Sequence, residues 1–190
     1  ILDYGNPHYD GGLAPASPEA IEAFGRYCFF MASELRGICR YFEIWNEPNT
    51  DGFWRPRHDA AAYARLFEVA AREVRRGNPE AVVIGVTLAG IDGEFLTATC
   101  ANARCGEMDF VSIHPYCTPA SPGAADIFAK MKTARDTAFA AGGAPERPIW
   151  VTEIGWPTHR GAAKPRRAAR PKSSPRPTCS PPRGPRSTAS

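Results

Sequence analysis

Two glutamates that close short apolar runs are the residues of this chain whose type and setting suit bond-breaking chemistry. In Tyr41-Phe42-Glu43-Ile44-Trp45-Asn46-Glu47-Pro48-Asn49 a strand-like segment stops abruptly in an amide, a carboxylic acid and a proline. In Pro148-Ile149-Trp150-Val151-Thr152-Glu153-Ile154-Gly155-Trp156-Pro157 a second such segment runs into Glu153. Two carboxyl groups held out at a rim are what cleavage of a glycosidic bond requires. In the retaining form one protonates the departing oxygen while the other attacks the anomeric carbon, and the pair stands about 5 Å apart.

The neighbours of the two glutamates extend that reading. Asn46 offers an amide to the sugar hydroxyl next to the reacting carbon. Adjacent strand residues point to opposite faces, so Asn46 and Glu47 serve one cleft only if the strand bends or ends there. Pro48 fixes the turn that follows. Val111-Ser112-Ile113-His114-Pro115-Tyr116 is a third apolar run ending in polar residues, and His114 and Tyr116 suit either a structural hydrogen bond or a place in the cleft. Trp156, just after Glu153, is a candidate to stack on a sugar. Trp54 is either a sugar platform or hydrophobic cover for the rim. Asp3, Tyr4, Asn6 and His8 either line a subsite or build the turn at Gly5-Asn6-Pro7. Glu43 lies four positions before Glu47 and is read as structural.

The elements that must position these residues alternate. Ile1–Tyr4 reads as a strand, and Ser17-Pro18 as the cap and first turn of a helix reaching about Arg36. After the strand over Tyr41–Asn46, a helix is expected from about Asp59 to Arg76, with Ala60, Tyr63, Leu66, Phe67, Ala70 and Val74 on one stripe; Gly77-Asn78-Pro79 stops it. Ala81–Val86 has no polar alternation, the pattern of a strand buried on both faces of a parallel sheet. A short helix around Glu94–Thr99, a strand over Met108–His114, a helix over Ala124–Ala141 and a strand over Ile149–Thr152 complete the pattern.

Repeated βα units spell an α/β fold with a parallel sheet, and the chemistry-bearing residues fall at the C-terminal ends of its strands. No Gly-rich phosphate loop follows a strand, which favours a partial (β/α)8 TIM barrel over an open doubly wound sheet. Such a barrel needs about 250 residues, and this chain has 190. The expectation is therefore an incomplete barrel domain over residues 1–161, with further strands outside the chain.

Residues 162–190 differ in kind. They hold eight of the 23 basic residues and none of the 20 acidic ones, so the net charge of +3 conceals an acidic body. They also lack any Ile, Leu, Val, Met, Phe, Trp or Tyr. A disordered Pro/Arg/Ser-rich tail is expected there, read as the product of a shifted reading frame. A nucleic-acid role would rest on this tail alone, and no nucleic-acid partner is expected. No apolar run reaches the roughly 18 residues of a membrane span, so no membrane partner is expected either. Cys28, Cys39, Cys100, Cys105, Cys117 and Cys179 form no C-x-x-C pair, which argues against a zinc site. Cys100 and Cys105 are spaced to close a small disulfide loop if the protein is exported; the plainer reading is buried thiols. The acidic body and that pairing lean towards a secreted or periplasmic location.

Asn46-Glu47-Pro48 ending one strand and Thr152-Glu153 ending another resemble the retaining glycoside hydrolases of clan A, nearest to the family 39 and family 5 groups. The resemblance covers most of residues 1–161. It implies Glu47 as acid/base on barrel strand four, Glu153 as nucleophile on strand seven and Asn46 as partner of the 2-hydroxyl. It numbers the visible strands three to seven, and it makes His114 and Tyr116 candidates to hydrogen-bond the nucleophile. It implies a carbohydrate substrate, a β-linked oligo- or polysaccharide cleaved by double displacement, with no cofactor and no metal. An Arg on strand two and a Trp on strand eight, usual in the clan, would lie outside this chain. The alternative is a non-catalytic truncated remnant or a carbohydrate-binding protein.

Overall fold

A computed structural model describes residues 1–102, 105–116, 124–141 and 147–155. Trp156, Cys117, Cys179 and the basic tail lie outside the described residues, as does the proposed boundary at residue 161.

Helix α1 spans Pro18–Glu34 and starts as its sequence dictates: the Ser17 hydroxyl accepts from the Ala20 N–H at 3.2 Å, and Pro18 occupies the first turn. Asp10 holds the approach to it, one carboxylate oxygen accepting from the Ala16 and Ser17 N–H groups at 2.8 and 3.0 Å. Helix α2, Ala60–Gly77, is capped by Asp59, which accepts from the N–H groups of Ala61 and Ala62, both at 2.9 Å. Of its expected stripe, Tyr63, Leu66, Phe67, Ala70 and Val74 are at 0% exposure and Ala60 is half-buried. The two helices approach closely at Gly77, where a β-carbon would stand 2.6 Å from the Phe29 carbonyl oxygen.

Strands β1 (Tyr41–Glu43), β2 (Val82–Ala89), β3 (Phe110–His114) and β4 (Ile149–Val151) form one parallel sheet in the order β1-β2-β3-β4. Helices α3 (Gly93–Asn102) and α4 (Ala124–Ala141) complete the set. Strand order follows chain order without reversal, and α1 packs on α2, α2 on α3 and α3 on α4. Sequential parallel strands with a sequential outer layer of helices describe an arc of a (β/α) barrel, whereas a doubly wound sheet reverses its strand order at a switch point. No helix of the described residues is long and apolar enough to cross a membrane.

Three elements depart from expectation. The first strand shrinks to a single parallel bridge, Leu2 to Ile44, with the Leu2 N–H donating to the Glu43 carbonyl and the Trp45 N–H to the Leu2 carbonyl. Regular pairing stops there because β1 itself ends: Trp45 turns to φ 63° and Glu47 to φ 43°. Strand β2 runs three residues beyond Val86, through an irregularity between Gly85 and Leu88 with Val86 at φ 44°. The displaced Val86 N–H donates to the Tyr63 hydroxyl at 2.9 Å, and that hydroxyl donates to the Ile44 carbonyl at 3.0 Å. One buried phenol thus satisfies both backbone groups freed where β1 ends and β2 bulges. Cys100 is disulfide-bonded, against the plainer thiol reading, while Cys28 is a buried and Cys39 a half-buried free thiol.

Candidate active site

The bend after β1 delivers Asn46 and Glu47 together. Pro48 and Thr50 turn the chain back, with the Thr50 N–H and hydroxyl both donating to the Glu47 carbonyl at 3.1 Å. Asn49 then straps this turn to the neighbouring strand end. Its Oδ1 accepts from the Ala89 N–H at 2.9 Å, and its Nδ2 donates to the Ala89 carbonyl and to Asp92 Oδ2. Asp92 in turn accepts from the Phe95 N–H at the start of α3.

Glu47, His114 and Glu153 converge. One ligand-type atom of each lies within 4.8 Å of the others, so the two carboxylates stand close together. A divalent ion would also tolerate that spacing. The Glu47 side chain is 12% exposed and that of Glu153 38%. Cavities of about 350 and 230 Å³ flank Tyr4, the second also bordered by Trp45. A larger one of about 950 Å³ lies between α3 and α4, away from both carboxylates.

His114 and Tyr116 divide the glutamates between them. The Tyr116 hydroxyl donates to Glu153 Oε2 at 2.7 Å, and this hydrogen bond, with lesser burial and the charges of Glu153 and Glu47, holds the phenol above its ordinary pKa. His114 is fully buried and makes its contact with Glu47 instead, Nδ1 to Oε1 at 2.9 Å, while Glu153 is 3.7 Å away, beyond hydrogen-bond reach. Of the two candidates to hydrogen-bond Glu153, Tyr116 is the one that does so.

Asn46 is buried, and its Oδ1 has no hydrogen-bond partner among the described residues. An orphaned buried amide oxygen is costly unless something outside the chain completes it. Tyr4 stands beside it: burial and the charge of Asp3 raise the phenol's pKa, Asn46 opposes them and Glu153 adds to them. Tyr4 is half exposed and stacks on Phe53 with ring centroids 6.3 Å apart. Trp54 is 3% exposed and packs edge-on against Trp45 and Tyr63, so it is rim cover and not a platform.

Beneath the glutamates lies a network that sequence reasoning missed. Glu43 is buried, and its Oε1 accepts from the Thr87 and Thr152 hydroxyls, both at 3.0 Å. Thr152 Oγ1 also meets His114 Nε2 at 3.0 Å and the Ser112 hydroxyl. The strand position of Glu43 and the hydroxyl residues Thr87 and Ser112 within β2 and β3 and Thr152 just after β4 were the available signal.

An arc of parallel strands thus presents two close carboxylates at its C-terminal edge. The family model for glycosyl hydrolases family 39 matches residues 31–153, and the chain belongs to that family. It is 39% identical over 82 residues to a beta-xylosidase of Geobacillus stearothermophilus, covering 42% of this chain and 16% of that protein. To a beta-xylosidase of Caldicellulosiruptor saccharolyticus it is 32% identical over 122 residues, 58% of this chain and 24% of the relative. The structure is similar to a family 39 beta-xylosidase of Caulobacter crescentus (TM-score 0.55, 27% identity, 71% of this chain and 30% of that one). It is also similar to a family 39 enzyme of Xanthomonas axonopodis pv. citri (TM-score 0.55, 25% identity, 77% and 32%). The chain thus spans under a third of the length of each of these relatives.

Proposed function

We propose that the protein cleaves a β-linked glycoside with retention, Glu153 attacking the anomeric carbon while Glu47 gives its proton to the departing oxygen. Water then attacks the glycosyl-enzyme, and Glu47 takes the proton back. The observation that carries this reading is the approach of the two carboxylates to within 4.8 Å at the ends of different strands. Asn46 binds the 2-hydroxyl through its unpartnered Oδ1, an interaction that strengthens as positive charge develops on the ring. Tyr116 orients Glu153 and draws off part of its charge until attack.

The two beta-xylosidase relatives favour a β-xyloside as the glycone, and the substrate class is accordingly a β-1,4-linked xylo-oligosaccharide or an aryl β-xyloside. The test is to incubate the 190-residue chain with an activated 2-deoxy-2-fluoro-β-xyloside and map the adduct by mass spectrometry. A label on Glu153 is expected, and it should vanish in Glu153→Gln. Labelling of another carboxylate would overturn the assignment of the nucleophile. Binding of xylo-oligosaccharide without any turnover or adduct would favour the carbohydrate-binding alternative.

A further inference from the structure

The hydroxyl and carboxylate network beneath the site dictates where the histidine carries its hydrogen. A carboxylate oxygen only accepts, so the single hydrogen of the Thr152 hydroxyl is committed to Glu43 Oε1. Thr87, from β2, commits its hydrogen to the same oxygen. Thr152 Oγ1 is left with lone pairs alone for its two remaining neighbours, Ser112 Oγ and His114 Nε2. Both must therefore donate to it. With the hydrogen on Nε2, the 2.9 Å contact between His114 Nδ1 and Glu47 Oε1 needs one more hydrogen between them. Two bare lone pairs would otherwise face each other, with His114 fully buried.

We infer that Glu43 and Thr152 are positioning residues that fix the Nε2–H form of His114, so that the Glu47–His114 pair retains one proton at rest and Glu47 is presented as an acid. The inference rests on the assignment of Glu47 as acid/base. The balance is simple. The proton shared by Glu47 and Nδ1 passes to the glycosidic oxygen as its bond to the anomeric carbon breaks. The pair is then a carboxylate against a bare imidazole nitrogen, and it recovers its proton from the water that attacks the glycosyl-enzyme. Glu43 itself faces Asp3, across the Leu2 bridge, and Tyr63, both of which sense its charge. Around His114 the titratable neighbours among the described residues are Glu47, Glu153 and Tyr116.

The experiment reads the histidine directly and needs no turnover. The full 190-residue chain is labelled with 15N-histidine, and His114 is assigned in a variant whose other three histidines, His8, His58 and His159, are replaced by Gln. Long-range 1H–15N spectra are then recorded at neutral pH. The wild-type chain is expected to show a protonated Nε2. Thr152→Val, which removes the acceptor, is expected to move the hydrogen to Nδ1, and Thr152→Ser to restore the wild-type pattern. A wild-type spectrum with bare Nε2 and protonated Nδ1 overturns the proposal, whether or not the valine variant folds, as does a folded Thr152→Val chain with an unchanged pattern. Because no substrate enters, a protonated Nε2 in a chain that never cleaves a glycoside would support the network and count against the hydrolase assignment alone.

Discussion

At the scale of single residues, the two glutamates should fail in different ways when altered. On the proposed mechanism Glu153→Ala removes the attacking group, and added azide should restore turnover by filling the space and giving a glycosyl azide of inverted configuration. With Glu47 as the proposed acid, Glu47→Gln should lower turnover on poor leaving groups roughly 10²–10⁴-fold, and much less on an activated aryl glycoside. The ratio of the two kcat/KM values checks this. Tyr116→Phe deletes the 2.7 Å hydrogen bond to Glu153 and should lower kcat/KM by roughly tenfold, discounted from the buried value because the tyrosine is exposed.

Among elements, those governed by neighbours in sequence were legible. Ser17-Pro18 and Asp59 mark the starts of α1 and α2 because caps act over two or three residues, and the stripe from Tyr63 to Val74 is buried as a period near 3.6 requires. What escaped depends on distant partners. The positive φ values at Trp45 and Val86 flank the Ile44 carbonyl and the Val86 N–H that Tyr63, from another element, completes. The bond between Thr152 and Glu43 joins residues 109 positions apart, a distance no local pattern spans. Tyr63→Phe should therefore cost about 2–4 kcal/mol, since it strands a buried carbonyl and a buried N–H at once, and a denaturant titration would measure the loss.

The Asp10 clamp ahead of α1 gives an element-scale test in pH. Bonds from the Ala16 and Ser17 N–H groups hold its carboxyl below the ordinary aspartate value. A depressed folded value means the contribution is complete above the unfolded value of about 3.9 and disappears as pH falls through the lower folded one. Asp10→Asn should be less stable than the parent at neutral pH, and the gap between their melting temperatures should close below about pH 4.

At the scale of the molecule, the arc has a stable centre. β2 and β3 are paired on both sides, and Val83, Val111 and Ile113 are at 0% exposure, whereas the pairing of β1 with the first segment is a single bridge. Native-state hydrogen exchange should find its slowest amides in β2 and β3 and markedly faster exchange at Leu2 and Trp45. The barrel class was readable because βα alternation is a property of the whole chain that survives errors at every boundary. The closeness of Glu47 to Glu153 was an inference from that class, and it is met by oxygens within 4.8 Å.

Asn49 has a consequence for how such a rim can vary. Its amide ties the turn after Glu47 to the last residue of β2 and to the aspartate that starts α3. The exposed residues Arg55, Pro56 and Arg57 lie outside that knot, so variation there puts Glu47 at little risk, whereas Thr50 holds the Glu47 carbonyl and Trp54 is buried. A change at Asn49 or Asp92, neither of which touches the reacting pair, would loosen two rim segments together and blur the aim of Glu47.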